Sequence, residues 1–256
     1  MKNIKTIVAI GGGEIGRPGY SIETEKIDRE IIEYSGKEHP NLLFIPTAST
    51  DSDLYANTVR NYFGDKLGCR IDVLNLIDIE ISKKEIEDRV FSSDIIYVGG
   101  GNTMKMLDVW REKGVDKILK KAWERGIIIS GLSAGAVCWF EYFSSDSKKF
   151  IDGKEKFELI KLNGLNWVPI SYCPHFDTEE KRKPHLKRMM KEIDGAALAV
   201  ENCCALVIRG DEYKIINSKK EADAFKTFWR DDKYYTQKIK VSKNFKPIEE
   251  LLTKSL

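Results

Sequence analysis

Short apolar segments recur through the first half of the sequence, and their spacing limits the folds that this chain can adopt. They lie at residues 4–10, 41–46, 69–76, 94–100 and 126–130, each about the length of a strand and bounded by Gly, Pro or Asp. Longer segments with helical spacing of apolar residues separate them. Because parallel strands need crossover connections, this alternation predicts a parallel sheet with helices on both faces.

The connecting segments and the later part of the chain refine this prediction. Residues 21–35 place isoleucines on one side of a helix, and residues 102–125 indicate one or two helices interrupted near Gly114. Three more closely spaced strands, partly antiparallel, are predicted at residues 167–174, 197–208 and 212–218.

Length and composition indicate one globular domain. The chain of 256 residues contains no Pro/Gly/Ser-rich linker and no internal repeat, so we expect a single domain over residues 1–256, with about residues 219–256 as a C-terminal extension. Apolar residues make up 42% and charged residues 32%, which is typical of a soluble protein. A net charge of +2 favours neither nucleic acid nor a membrane surface as a partner.

The cysteines and the N-terminus indicate the compartment. The five cysteines are odd in number and lack CxxC spacing, so neither a disulfide framework nor a zinc site is predicted. The first apolar run is too short for a signal peptide, and no segment could span a bilayer. We therefore expect a cytoplasmic protein with no metal.

Two glycine triplets follow predicted strands. In the first, Gly11, Gly13 and Gly16 match the dinucleotide pattern GxGxxG, but Arg17 and Pro18 interrupt the helix that this site needs. A loop that borders another site is the better interpretation. The second triplet, in "YVGGGNT" (residues 97–103), opens a helix. Its N–H groups could stabilise a developing negative charge, or the segment could be a plain turn capped by a polar side chain.

Residues 131–135, "GLSAG", match the GxSxG nucleophile elbow between a predicted strand and a predicted helix. Ser133 would then be exposed beyond the sheet on a sharp turn that needs small neighbours. The alternative is a serine that only caps a helix.

A nucleophilic serine needs a base, and the chain has three histidines. His175 follows a predicted strand and is the best placed, whereas His39 precedes a strand and His185 lies in a charged helix. Two carboxylates could hold the imidazole, namely Glu201 after a later strand and Asp146 after the serine helix.

Four segments, in this order, resemble peptidase family S51, the serine peptidases that include aspartyl dipeptidase (peptidase E) and cyanophycinase. They are "IYVGGGNT", "GLSAGAVCWFEY…SSDS", "YCPHF" and "LAVENCCALVI". With the first glycine loop, the resemblance extends to about residue 218. It implies the fold of the class I glutamine amidotransferase-like superfamily, a doubly wound, mostly parallel α/β sheet in a flavodoxin-like three-layer sandwich.

The resemblance also implies roles for the site residues. Ser133 corresponds to the nucleophile, His175 to the general base and Glu201 to the acid, with Asp146 as the alternative acid. This chemistry requires no metal or organic cofactor.

The oxyanion hole and the substrate contacts complete the expected site. The resemblance implies an oxyanion hole formed by the N–H groups of Ala134 and of Gly100 or Gly101. Asn102, next to the glycines, is expected to contact the substrate. An aspartyl side chain needs a cation, and Arg182, shortly after the base, is the candidate.

The expected function is hydrolysis of short peptides, namely dipeptides with an N-terminal aspartate, by a monomer or homodimer. Leu132 departs from the family because peptidase E usually has tryptophan there, and Cys-Pro-His-Phe replaces the Asp-Gln-His-Phe typical of cyanophycinases. Three alternatives stay open. They are a cyanophycinase-like β-aspartyl exopeptidase, a glutaminase-type amidotransferase subunit (which would place cysteine at the elbow) and a non-catalytic binding protein of the same fold.

Overall fold

The computed structural model describes residues 4–152, 157–178 and 180–255. The strands are β1 Thr6–Ile10, β2 Asn41–Ile45, β3 Arg70–Val73, β4 Ile95–Val98, β5 Ile128–Leu132, β6 Tyr142–Ser145, β7 Ile160–Asn163, β8 Ser171–Cys173, β9 Ala196–Val200, β10 Cys204–Arg209, β11 Glu212–Asn217, β12 Ala224–Arg230, β13 Lys233–Ile239 and β14 Lys246–Pro247. The helices are α1 Glu25–Tyr34, α2 Asp53–Val59, α3 Lys83–Phe91, α4 Thr103–Lys113, α5 Val115–Glu124, α6 Ala134–Val137, α7 Lys149–Asp152, α8 Arg182–Met189 and α9 Glu249–Leu252.

Within the described ranges the strands form two sheets. The first has the order β14-β11-β10-β1-β5-β4-β2-β3, and the second has the order β13-β12-β9-β8-β6-β7. The block β1-β5-β4-β2-β3 is parallel, as the alternating sequence pattern predicts, and β10, β11 and β14 extend it antiparallel.

Both faces of the first sheet are covered. Every residue of β1, β4 and β5 is buried, which is why these strands read as unbroken apolar runs. Ile27 and Ile31 of α1 pack on one face, while Trp110 of α4 and Leu119 of α5 pack on the other together with the second sheet. The expected doubly wound α/β fold is therefore confirmed.

The predicted break near Gly114 separates two helices. Gly114 adopts φ 69° between α4 and α5, and its N–H bonds back to the last turn of α4. A left-handed residue at this position stops the first helix, and glycine adopts that conformation at little cost.

The strand predicted over residues 197–208 is two strands in different sheets. β9 belongs to the second sheet and β10 to the first, and residues 201–203 form the corner that joins them. Cys203 turns the chain with φ 61°, and its N–H donates to Gly12 O (2.9 Å). The prediction of one strand here was wrong because the apolar runs on both sides of the corner are buried, and burial alone does not show a change of sheet.

Residues beyond 218 add strands to both sheets. β12 pairs with β9, β13 pairs with β12, and β14 pairs with β11. In the part of the chain that the structure describes, no helix has the length and apolar character needed to cross a membrane.

Candidate active site

Ser133 occupies a sharp turn between β5 and α6. Its backbone has φ 54° and ψ −110°, and its side chain makes no capping hydrogen bond. A Cβ on Gly131 would lie 2.3 Å from Gly135 O, and a Cβ on Gly135 would lie 2.1 Å from Val98 O. Only glycine fits at these two positions, which gives the GxSxG pattern its physical reason. The strained serine backbone is the geometry of a nucleophile elbow rather than of a helix cap.

His175 follows β8 and reaches the serine. Its N–H donates to Gly11 O (3.1 Å), its φ is 52°, and its Nε2 lies 2.8 Å from Ser133 Oγ. The other two histidines lie elsewhere: His39 is exposed beside Gly68 O, and His185 is buried with Nδ1 2.9 Å from Ser144 Oγ. Burial, followed by nearby arginine charge, lowers the pKa of His185 to about 4.

Asn202 contacts the other imidazole nitrogen. Its Oδ1 lies 2.7 Å from His175 Nδ1, while its Nδ2 donates to Thr178 Oγ1 (3.2 Å) and its backbone N–H donates to Asp177 Oδ1 (2.9 Å). Because the amide nitrogen is directed to Thr178, the amide oxygen faces the ring. In the tautomer that fits this contact, Nδ1 donates to the amide oxygen and Nε2 accepts the hydroxyl hydrogen of Ser133.

The first glycine triplet borders this pair. A Cβ on Gly12 would lie 1.9 Å from Asn202 Oδ1 and 2.4 Å from His175 Nδ1. A Cβ on Gly11 would lie 2.4 Å from Glu201 O. The triplet thus makes room for the His175 imidazole and the Asn202 amide. This is the position expected of a loop that borders another site.

The second triplet lies on the opposite side of Ser133. A Cβ on Gly100 would lie 3.4 Å from Ser133 Cβ, and the Gly100 N–H donates to the Tyr55 hydroxyl (3.3 Å). Gly101 has φ 143°, and a Cβ there would lie 2.2 Å from Ala48 O. Both glycines are close enough to shape the space above the serine, and Ala134 follows the serine directly as the first residue of α6.

A cavity of about 460 Å³ opens beside the Ser133–His175 pair. Its lining comes from the first glycine loop, α2 and the elbow: Gly13, Glu14, Ile15, Arg17, Ser49, Ser52, Leu54, Tyr55, Thr58, Gly100, Gly101, Leu132, Ser133 and His175. The sequence motifs did not identify Arg17 or Tyr55 as residues of the site. Arg17 lies in the segment after β1, and Tyr55 lies in the segment after β2. No group of three or more His, Cys, Asp or Glu side chains suited to a metal occurs in the described ranges.

Glu14 and Arg17 are a bound pair in this lining. Glu14 Oε1 accepts the N–H groups of Ile15, Gly16 and Arg17, and Oε2 pairs with the Arg17 guanidinium (2.6 Å to Nη2, 2.7 Å to Nε). Burial acts to raise the pKa of Glu14, but the hydrogen bonds from Arg17 outweigh it and keep that pKa below its ordinary value. Glu14 therefore remains an anion and holds Arg17 in place.

Comparison with known proteins identifies the family. Residues 7–216 match the sequence profile of peptidase family S51. The chain belongs to peptidase family S51. The uncharacterized peptidase YgaJ of Bacillus subtilis (strain 168) is 34% identical over 227 residues, which cover 87% of this chain and 92% of that protein. A peptidase E of Streptomyces coelicolor is 25% identical over 193 residues, which cover 72% of this chain and 74% of that protein.

Solved structures share the fold of this S51 peptidase. The crystal structure of a peptidase from an acI-B1 Actinobacterium superposes with a TM-score of 0.71 at 18% identity, covering 95% of this chain and 97% of that one. A putative peptidase E protein from Listeria monocytogenes EGD-e gives 0.61 at 23% identity, covering 84% and 98%.

Glu201, expected to hold the imidazole, has another partner in this S51 peptidase. Its Oε2 accepts the N–H of Asp223 (2.9 Å), and its own N–H donates to Asp223 O (3.1 Å). Burial raises the pKa of Glu201, against the hydrogen bond from Asp223. Glu201 as the acid therefore stays a prediction, and the side chain that lies 2.7 Å from His175 Nδ1 is that of Asn202.

Asp146 and Arg182 pair with each other at the end of β6. Asp146 Oδ2 bonds Lys149 and lies 3.8 Å from Arg182 Nη2. The Arg182 side chain is 1% exposed, and its Nη1 donates to Ser144 O (2.6 Å). The roles expected for Asp146 and Arg182 stay predictions, and the Arg182 guanidinium lies against Ser144 rather than in the lining of the cavity beside Ser133.

Asn102 and the nearest cysteine have local roles. Asn102 Oδ1 accepts the N–H of Lys105 (3.1 Å) and so caps α4, which leaves the expected substrate contact without support. Cys138 is fully buried at the end of α6, its thiol points to Gly135 O (3.6 Å), and burial raises its pKa well above the ordinary value. A buried thiol with a raised pKa is poorly suited to act as a thiolate, and the elbow position itself is occupied by Ser133.

Proposed function

We propose that this S51 peptidase hydrolyses short peptides, namely dipeptides with an N-terminal aspartate, through Ser133, His175 and Asn202. The observation that carries the proposal is the 2.8 Å contact between Ser133 Oγ and His175 Nε2 at a strained elbow that opens into a cavity. A nucleophile within hydrogen-bond reach of a base that is itself oriented by a third group is the signature of nucleophilic catalysis.

The geometry supports a two-stage acyl transfer. In the first stage, Ser133 Oγ forms a bond to the peptide carbonyl carbon while its proton passes to His175 Nε2. The ring then gives that proton to the departing amine as the C–N bond breaks. In the second stage, water attacks the ester with His175 again as base, which releases the acid product and restores the serine hydroxyl.

Asn202 would act on the orientation of the base rather than on its charge. Its amide oxygen accepts the Nδ1 proton, which keeps Nε2 as the acceptor. A carboxylate in that position would also stabilise the imidazolium that forms during the reaction. With a neutral amide, the proposed triad relies more heavily on the oxyanion hole and on the rigid turns that hold Ser133 and His175.

Arg17 is the reason for proposing an acidic residue in the substrate. It is the arginine that lines the cavity, its side chain is 58% exposed, and Glu14 engages its Nε and Nη2. Among the described residues, its Nη1 has no hydrogen-bond partner and can still donate to a carboxylate. A guanidinium fixed in this way binds planar anions well, so we assign the aspartyl side chain to Arg17.

A dipeptide panel tests the proposal. Asp-Leu, Asn-Leu, Ala-Leu and β-Asp-Arg are to be incubated with wild type, Ser133→Ala and Arg17→Gln, and the released amino acids are to be quantified. We expect Asp-Leu to be the best substrate, about a 10⁴- to 10⁶-fold loss in Ser133→Ala, and a selective loss of Asp-Leu over Asn-Leu in Arg17→Gln. Lack of hydrolysis of every dipeptide by wild type refutes the peptidase proposal, and preference for β-Asp-Arg refutes the α-aspartyl assignment.

A further inference from the structure

Tyr55 is built into the wall of the cavity opposite His175. It lies on α2, its ring meets Phe44 edge-on at 5.0 Å, and its hydroxyl accepts the N–H of Gly100 at 3.3 Å. A Cβ on Gly99 would lie 2.8 Å from Tyr55 Cε1. The second glycine triplet therefore leaves space for this phenol as well as for the chain around Ala48, and packing fixes the ring against the loop beside Ser133.

The Tyr55 hydroxyl has a proton to donate. Over residues 4–152, 157–178 and 180–255, its one hydrogen bond is the bond that it accepts from Gly100. Burial raises the pKa of this phenol to about 12, against the lowering effect of the Gly100 N–H, so the group is protonated at neutral pH. A hydroxyl that accepts one hydrogen bond is polarised and becomes a better donor in the next.

The contact with Tyr55 also changes what Gly100 can do. In serine peptidase chemistry, a backbone N–H near the nucleophile is expected to bind the oxyanion directly. Here the Gly100 N–H is directed to the phenol oxygen, and the phenol lines the same cavity as Ser133. The group of this pair that can still donate a hydrogen bond into the cavity is therefore the Tyr55 hydroxyl.

We propose that Tyr55 is a catalytic residue whose hydroxyl donates a hydrogen bond to the substrate carbonyl oxygen as it becomes an oxyanion, beside the backbone N–H of Ala134. The inference rests on the proposed function of Ser133. No proton is transferred from Tyr55, since the hydrogen bond strengthens as charge develops and weakens when the carbonyl re-forms. Its contribution should therefore appear in kcat rather than in KM.

Tyr55→Phe is the direct test because it removes one oxygen and keeps the ring. The matched control is Tyr235→Phe, the same change on β13, where the ring stacks on Phe228 at 5.3 Å. The readouts are kcat and KM for the best dipeptide, the rate at which a fluorophosphonate labels Ser133, and the thermal midpoint. We expect Tyr55→Phe to lower kcat and the labelling rate by about 100-fold, with KM within about threefold. We expect Tyr235→Phe to stay within about twofold of wild type.

A second measurement separates hydrogen-bond donation from packing. Incorporation of 3,5-difluorotyrosine at position 55 keeps the ring and acidifies the phenol. The labelling rate should then be retained at neutral pH and lost at alkaline pH, because an ionised phenol cannot donate. Wild type should lack this alkaline loss over the same pH range.

The outcomes distinguish the two proposals. Labelling of wild type but not of Ser133→Ala, with Tyr55→Phe within about twofold of wild type, overturns the role of Tyr55 and leaves the serine peptidase proposal intact. An alkaline loss that is identical in wild type and the fluorinated protein also overturns it. Absence of Ser133 labelling in wild type overturns both.

Discussion

The two glycine triplets look alike in sequence but meet different neighbours in the structure. Residues 11–13 follow β1 and residues 99–101 follow β4, and β5, which ends just before Ser133, lies between these two strands. In the first triplet, Gly12 leaves room for the side chains of His175 and Asn202, and Gly11 leaves room for the backbone at Glu201. The second leaves room for the backbone at Ala48 and for the ring of Tyr55.

This difference teaches what a run of glycines signals. In both loops the informative property is the missing Cβ. On one side of the serine the space is filled by His175 and Asn202, and on the other by Tyr55 and the chain at Ala48. Substitutions in the two triplets should therefore have different consequences for catalysis.

Among substitutions in the two triplets, the largest effect is expected from Gly12→Ala. The new methyl would lie where Asn202 Oδ1 and His175 Nδ1 now are, so both groups must move while the fold persists. Since a misplacement of about 1 Å can cost about 100-fold in rate, we expect kcat to fall by more than about 100-fold.

Gly100→Ala is the matched comparison on the other side. Its methyl would contact Ser133 Cβ and Leu132 O at 3.4 Å, an ordinary packing distance, so we expect a loss below about 10-fold. Dipeptide kinetics with thermal midpoints measure both variants. Equal losses would mean that the two triplets do not differ in the way described.

Asn202 should show an intermediate effect and its neighbour almost none. Asn202→Ala removes the acceptor of the Nδ1 proton, and we expect kcat to fall by about 10- to 100-fold. Glu201→Gln keeps the hydrogen bond from Asp223 and should leave kcat within about threefold. The reverse ranking in steady-state kinetics would restore Glu201 as the residue that orients the base.

Asn202→Asp gives a pH test of the same contact. A carboxylate beside Nδ1 favours the imidazolium and raises the pKa of His175. The base must be neutral to accept the serine proton, so the acid limb of the kcat/KM profile should move to higher pH than in wild type. An unchanged acid limb would show that residue 202 does not face the ring in solution.

The smallest effect on catalysis, and a clear effect on stability, is expected from Asp28→Asn under the first triplet. A Cβ on Gly13 would meet Thr24 Cγ2 at 2.9 Å, and Thr24 Oγ1 donates to the buried Asp28 (2.6 Å). Burial raises the pKa of Asp28 to about 7, against hydrogen bonds from Thr24 and Tyr62. Between about pH 4 and pH 7, Asp28 is therefore protonated more often in the folded protein than in the unfolded chain. The free energy of unfolding thus falls by up to about 1.4 kcal/mol for each unit by which the pH rises.

Urea unfolding at pH 5 and pH 8 checks this expectation. Asp28→Asn should lack the decline seen in wild type. Thr47→Val, near the second triplet, is the comparison. It removes the oxygen that accepts the hydrogen bond from Trp110 Nε1 (3.3 Å), so the free energy of unfolding should fall by about 1–3 kcal/mol at both pH values. A similar pH dependence in wild type and Asp28→Asn would contradict the assignment to Asp28.

Much of the fold could be predicted because it depends on local patterns. The buried parallel strands read as short apolar runs, and Gly114 marked the break between α4 and α5. The family was also predictable, because several motifs occur in one order. The sequence also placed Ser133 and His175 each directly after a strand, but β5 and β8 belong to different sheets, so the contact between the two side chains does not follow from strand ends alone.

The rest depends on geometry that a linear pattern does not contain. The corner at residues 201–203 decides which of two adjacent side chains faces the base, and a positive φ at Cys203 is not visible in the sequence. The ion pair of Asp146 and Arg182 is buried, whereas charged residues in such polar segments of the sequence would be expected at the surface. Tyr55 lies on a helix far from every recognised motif.

The corner that carries Asn202 has a mechanical consequence. It is the point where the chain passes from one sheet to the other, so the amide that contacts His175 Nδ1 is attached to both layers. Glu201, one residue earlier, fastens the same corner to Asp223 at the start of the C-terminal strands. The position of the His175 ring therefore depends on how the two sheets pack against each other, and strands that supply no residue to the site still influence that position.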